Sequence, residues 1–479
     1  MFQANRKRVL VGLALIGATA VGLYAATGND ESAKPAVKRA GPTILCAYCA
    51  APNRLTVHEW GTFTSFSGSD GVKLEFRPLQ DADLPYFVLD RQRQSGLAYP
   101  SKFDYRVLQR METPVTYFYV DRPREVNVRV EFPRGLLTEF YPPVLRMTPL
   151  FKLSGPELVG NSSLDWKVWL IPEDRIQARM PDAATTESLH KRMVEKLLPS
   201  SDGYDHYAHA RKTDSALVYS ELPGDPKNPL VPRGGHFEKF LFYRGIGNFD
   251  LPLKLTAPAN DKLELTNSGA TLIRNLFLVN VDQFTVRFSH YDKIGPGEKL
   301  SLAAPTQTST VDQLADAVKA ALVREELYDK EAAAMVETWR KSWFGEQGTR
   351  LFYMLPQAQT DALLPLTIEP APQELVRVMV GRMEIMRPSD EARITELVRQ
   401  SAEALAAEAK RNNTEYKDPA DAAAAAAKAP PPIDQTKLPN EIAAWGRLAE
   451  PALVRVRHVS KDPMVQQEAY RLLSVLRAK

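Results

Sequence analysis

Two cysteines in 479 residues rule out a disulfide framework through the body of this chain. They are Cys46 and Cys49, spaced C-x-x-C, and residue 50 is alanine, so the C-x-x-C-H of covalent haem attachment is absent. Gly41-Pro42 before the pair and Pro52 after it argue against the strand and helix that frame a thioredoxin-type redox site. What remains is a disulfide closing one tight loop, or idle thiols. Charge of one sign is equally scarce: the formal net charge is +3, and Arg6, Lys7 and Arg8 alone equal it. The rest of the chain sums to about zero and shows no basic surface of the size that steers nucleic acid. Familiar catalytic signatures are also missing. There is no P-loop, no G-x-S-x-G elbow, no EF-hand loop and no Cys/His zinc constellation. His58-Glu-Trp-Gly-Thr62 opens like H-E-x-x-H but carries threonine where the second histidine belongs, and Gly245-Ile-Gly247 lacks the third glycine of a dinucleotide site.

Proline, by contrast, is plentiful at 36 residues, which favours structured loops and strand edges over a helical solenoid. The length predicts more than one domain. Residues 1–28 read as a signal peptide or membrane anchor: the basic Arg6-Lys7-Arg8, an uncharged and mostly apolar run from Val9 to Ala26, then polar Asn29-Asp30-Glu31. Ala18-Thr-Ala20 offers a small-x-small cleavage site, while the run approaches the roughly 20 residues that span a bilayer. Cleavage is the preferred reading and a retained anchor over residues 9–26 the alternative. Either way the expected location is periplasmic or extracellular, with membrane contact only through this segment. Residues 29–54 form a linker carrying the C-x-x-C.

The remaining pattern is α+β, mostly antiparallel β in sheet and sandwich-like modules, with inserted helices and a C-terminal helical pair. A β-rich α+β domain is expected over 55–235. Leu55–Phe66 is its first strand, where alternation puts His58 and Glu59 on opposite faces. Val115–Val120 and Val126–Phe132 read as a hairpin around Asp121-Arg-Pro-Arg124, followed by a strand at Trp166–Leu170, a short helix over 185–198 and a strand at 216–219. Tyr117, Phe118, Tyr119, Trp166 and Trp169 suit a sugar-stacking platform, but aromatic-rich strands more often build core, and core is the preferred reading. A sandwich-like module is expected over 236–308, beginning with one strand from His236 to Tyr243 and closing at Leu300–Leu302. Residues 309–410 complete the body. The capping box Thr310-Val-Asp-Gln313 starts one helix, a second carries Met335, Trp339 and Trp343, strands fall at 350–354, 363–366 and 376–380, and a helix runs on from Ser389. An Ala/Pro-rich linker covers 411–439.

In the tail, residues 440–479, Leu448, Pro451-Ala-Leu453, Asp462-Pro463, Val465, Ala469, Leu472, Leu473 and Leu476 resemble one unit of a HEAT-type repeat. That resemblance implies helix stacking and contact with a protein partner. A lone repeat cannot bury its own face, so the pair must dock on the body, on a second copy or on a partner.

Chemical density peaks at Asp202–Asp214, which holds His206, His209, Arg211 and three aspartates, with His190 and His236 nearby. A helix here would put His206 and His209 on one face; an extended chain would separate them. One expectation is a metal-dependent or acid–base enzyme in which His206, His209 and His236, with His58 a further candidate, hold a divalent transition metal such as zinc or copper, Arg211 clamps an anionic group and Asp214 orients a histidine. The other, preferred here, is an exported cell-envelope protein acting as a binding or interaction scaffold, with Arg211–Asp214 a structural ion pair.

Overall fold

Leu55–Ser67 forms a thirteen-residue strand, β1, and every one of its residues is buried. Its β-branched and aromatic side chains suit a pleated position covered on both faces. This computed structural model describes residues 54–76, 84–97, 99–100, 105–150, 160–172, 194, 196–222, 234–282, 285–414 and 418–477. The chain divides into Met1–Ala51 and Pro52–Lys479, and the described residues belong to the second unit. The leader, the Cys46/Cys49 pair, His190 and most of the helix expected over 185–198 lie outside the described residues.

Across the largest sheet the order is β17 (Thr308–Ser309), β15 (Thr285–Ile294), β14 (Ile273–Asp282), β18 (Gly348–Leu355), β20 (Glu374–Ile385), β1, β4 (Gln109–Val120), β11 (Leu241–Gly247), β6 (Gly135–Tyr141) and β3 (Leu89–Asp90), with β2 (Lys73–Leu74) paired to β1. A second sheet runs β10 (Gly234–Glu238), β9 (Leu217–Leu222), β8 (Ser162–Ile171), β5 (Arg124–Phe132) and β19 (Leu366–Glu369), with β7 (Arg146–Thr148) on β8. A third holds β12 (Leu253–Thr256), β13 (Lys262–Asn267) and β16 (Lys299–Ala303). Strands β1 and β20 pair in parallel, from Thr56 opposite Glu374 to Ser67 opposite Ile385; the other described pairings are antiparallel. The protein is thus α+β with predominantly antiparallel sheets, as the sequence pattern predicts.

One core lies between the sheets. Leu55, Val57 and Phe63 of β1 meet Val126, Val128, Val130 and Phe132 of β5, Trp166 of β8 and Leu263 of β13 in a sandwich-like arrangement. The other face of the largest sheet is covered by three helices: α1 (Asp205–Ala210), α2 (Val311–Arg324) and α3 (Asp329–Arg340). Leu314, Val318, Met335 and Trp339 from α2 and α3 pack there on Trp60, Val115 and Val279. Thr310 and Gln313 cap α2 reciprocally, as the sequence motif requires. A third cluster joins α4 (Pro388–Asn412), α5 (Ala449–Val459) and α6 (Pro463–Arg477), where Ile394 and Val398 meet Leu453, Val465 and Leu472 beside Phe66. The helical tail therefore docks on its own body, the first of the three solutions open to it.

Four expectations are corrected. The hairpin at 115–132 does not form: β4 enters the largest sheet while β5 pairs with β8 and β19 in the second. Alternation marks which face of a strand is apolar but not which strand lies beside it, and both arms feed the same core. The strand expected from His236 to Tyr243 is likewise two, β10 and β11, split at Lys239–Phe240 and placed in different sheets. The boundaries at 235 and 308 consequently separate no folding units, because strands from 55–235, 236–308 and 309–410 interleave in the largest sheet. Finally, Pro419–Lys428 of the expected linker is helical, its alanine run supplying the propensity and Asp418 the N-cap.

Candidate functional site

The histidine-rich segment adopts the helical alternative, with His206 and His209 three residues apart on α1. It is nevertheless a brace. Burial works against the Arg211 cation, but Glu238 beside it outweighs that penalty and raises the guanidinium pKa. Arg211 Nε donates to Glu238 Oε1 at 2.9 Å and Nη2 to Oε2 at 2.7 Å, while Nη1 reaches the Pro199 carbonyl at 2.9 Å. Tyr207 Oη also donates to Glu238, whose side chain is fully buried. Asp214 is exposed and accepts from Lys330 Nζ at 2.5 Å. The His206 carbonyl accepts from Thr338 Oγ1 of α3 at 3.0 Å. His209 Nδ1 lies 3.0 Å from Lys212 Nζ, and burial followed by that lysine depresses its pKa. His236 packs edge-on to Tyr141 on β10, its pKa lowered by burial. Among the described residues no three His, Cys, Asp or Glu side chains converge to hold a metal ion. The expected Arg211–Asp214 ion pair, the anion clamp at Arg211 and the histidine-orienting role of Asp214 are corrected on the same geometry: Arg211 pairs with Glu238 and Asp214 with Lys330.

The His58–Glu59 pair resolves as its alternation predicts, each side chain finding a remote partner. On the helix face, His58 Nδ1 lies 2.8 Å from Glu331 Oε2, and Glu331 also accepts from Tyr119 Oη at 2.7 Å and the Tyr328 N–H at 2.8 Å. Burial, then Glu331, pushes the Tyr119 hydroxyl well above the usual phenol range. On the core face Glu59 accepts from Arg377 Nε at 2.7 Å, Thr116 Oγ1 at 3.0 Å and Tyr243 Oη. Arg377 reaches on to Asp361 at 2.8 Å and to the Leu364 carbonyl at 2.7 Å. These groups are built as buried networks, which rigidify a core and specify its pairing, while His58 Nε2 is left without a hydrogen-bond partner.

A cleft of about 930 Å³ lies where α2 overhangs the ends of β14 and β15 and the start of β20. Phe277 and Val378 give it apolar surface, while Arg274, Asn275, His290, Arg324 and Glu325 give it polar groups. Asn275 holds a positive φ of 53° at an irregularity in the β14–β18 register. There its amide accepts from Arg324 Nη2 at 3.1 Å and donates to Glu325 Oε1 at 2.8 Å. His290 stacks on Phe277 with centroids 4.5 Å apart, and burial, with Arg324 assisting, depresses its pKa. Reading the sequence missed this site. Its local signal is weak, the polar pair Arg274-Asn275 near the start of a largely apolar strand, and its walls come from segments that meet through folding alone.

Of the aromatic residues weighed as a platform, Tyr117, Phe118 and Trp166 are core and Tyr119 serves Glu331, whereas Trp169 is 47% exposed.

No protein-family model and no curated protein sequence matches the chain. Among solved structures it is similar to the Fcho1 mu homology domain of Danio rerio with bound Eps15 peptide, at 8% identity over 70% of this chain and 96% of that one, with a TM-score of 0.26. The yeast delta-COP-I mu-homology domain matches at 8% identity over 70% of this chain and 99% of that one, TM-score 0.23. Its complex with a Dsl1 WxWxV peptide matches at the same identity and TM-score. Superposition at this level is too poor to bear on function.

Proposed function

We propose that the protein is an exported cell-envelope binding scaffold that holds a small ligand in the cleft beneath α2. The observation that carries this reading is the cleft itself, of about 930 Å³ and mixed polar and apolar lining, a size and character typical of small-molecule sites. The side chains most suited to chemistry support it from the other direction. Arg211, Glu59 and His58 are committed to buried pairs with Glu238, Arg377 and Glu331. Export rests on the basic and apolar leader, Arg6 to Ala26. The tail, with its likeness to a HEAT-type repeat, is the natural place for a protein partner, since Val459, Met464 and Tyr470 stay exposed on α5 and α6 after docking.

The test is a thermal-shift screen of the full chain against small polar metabolites, run beside Ala320→Trp, which fills the cleft from an exposed position on α2. Stabilisation of the wild type that the variant loses supports the reading, and a screen without a stabilising compound removes it. Metal analysis decides the enzymatic alternative: a stoichiometric metal lost in a His206→Ala/His209→Ala double variant would move the conclusion there.

A further inference from the structure

The outer face of the second sheet carries a row of rings that its core does not use. Trp169 of β8 stands opposite Tyr219 of β9, and Tyr219 stands opposite Phe237 of β10. Their neighbours Val168, Leu170, Val218 and Glu238 are buried on the other face, so the three rings share the outward one. Trp169 is 47% exposed, and the other two rings are half-buried. Tyr219 and Phe237 lie with centroids 4.7 Å apart and planes inclined by 36°. Gly235 makes room for this arrangement: a Cβ there would fall 2.7 Å from Tyr219 Cε2 and lift the ring. Single exposed apolar residues are ordinary, but an aligned row on three adjacent strands, made possible by a glycine, is a built surface.

Charged groups flank the row on the same face, with Glu221 hydrogen-bonded to Tyr219. Lys167 Nζ lies 3.1 Å from Glu125 Oε1, and Arg129 bonds both Asp165 and Glu131 at 3.0 Å. These paired groups, two cations against three carboxylates, leave the rim without an excess of cations and rich in hydrogen-bonding partners, which suits an uncharged, hydroxyl-bearing ligand. Phosphate backbones and anionic lipid surfaces require an excess of cations instead. Rings on successive strands sit about 4.8 Å apart in a straight line, which calls for a flat and extended ligand. A sugar ring offers a C–H face to an aromatic face and hydroxyls to the charged rim. We propose that Trp169, Tyr219 and Phe237 form a stacking platform for a neutral, ribbon-like oligosaccharide of the β-1,4-linked class. The platform shares no residue with the cleft, so it stands whether or not the cleft binds a metabolite.

Calorimetric titration of the full chain with chitotetraose and cellotetraose tests this. The wild type is expected to bind at least one of them, with an affinity insensitive to added salt. Trp169→Ala should weaken binding roughly tenfold or more, consistent with loss of one stacked ring, while leaving the thermal midpoint unchanged. Gly235→Val should weaken it through displacement of Tyr219, and Ala320→Trp in the cleft should not affect it. Failure of the wild type to bind either sugar, or full affinity in Trp169→Ala, overturns the proposal. Trp169-dependent capture on phosphatidylcholine vesicles without sugar binding would overturn it too, making the row a membrane contact.

Discussion

His58 and Glu331, 273 residues apart in sequence, meet at 2.8 Å with both side chains fully buried. Because Glu331 accepts three hydrogen bonds, from His58, Tyr119 and the Tyr328 N–H, His58 donates through Nδ1. The carboxylate pins the start of α3 to the central strand of the largest sheet.

Glu331→Ala should therefore be severe, since it strands the fully buried His58 and takes the acceptor from Tyr119 and the Tyr328 N–H. A loss of about 3–5 kcal/mol is expected in urea unfolding, the range for breaking a buried pair. A His58→Phe/Glu331→Leu double variant should lose less than the two single changes combined. Simple additivity would show that the pair does not act as a unit.

Arg211 and Asp214 are neighbours in sequence but opposites in energetics. Arg211→Ala leaves the fully buried Glu238 without its cation and should cost about 3–5 kcal/mol. Asp214→Ala removes only an exposed pair to Lys330 and should stay within about 0.5 kcal/mol of wild type. Equal effects in denaturant unfolding would contradict the assignment of Arg211 as a brace.

Acidification should destabilise the fold through its histidines. His209, His236 and His290 are each held below the usual imidazole range, with burial the leading cause. A depressed folded pKa means that the unfolded chain takes up the proton first. Stability present at neutral pH is then lost as pH falls through the unfolded value of about 6.5. Urea midpoints measured on either side of that value should fall with pH in the wild type and fall less in a His209→Gln/His236→Gln/His290→Gln variant. An unchanged slope would place the proton uptake elsewhere.

Gly381 sits in β20 directly opposite Tyr353 of β18, and a methyl group on it would collide with the tyrosine ring. Gly381→Ala should cost about 1–3 kcal/mol by overpacking, with part of the loss restored by Tyr353→Leu. A Gly381→Ala variant as stable as wild type in thermal unfolding would show that the ring moves freely.

Removing residues 440–479 should uncover Ile394, Val398 and Phe66, which share a core cluster with the tail. The truncated chain is expected to bind a hydrophobic dye and to melt earlier. If dye binding and melting stay unchanged, the tail is not needed to cover the body.

The sequence by itself determined what depends on neighbours a few residues away. The strand beginning at Leu55, the opposed faces of His58 and Glu59, the Thr310–Gln313 capping box and the helical pair of the tail all follow from period-two or period-3.6 patterning and local hydrogen bonding, whereas the site on which the tail docks does not. Chemical density at Asp202–Asp214 was equally legible, but its purpose was not, because Glu238, Thr338 and Lys330 reach it only after the chain closes. The same holds for strand partners: Val115–Val120 and Val126–Phe132 look like a hairpin because each has an apolar face, yet the shared core draws them into different sheets. The cleft and the aromatic row were decided by tertiary structure alone. Their residues belong to segments far apart in the chain, and only the burial of a common core brings those segments to fixed distances.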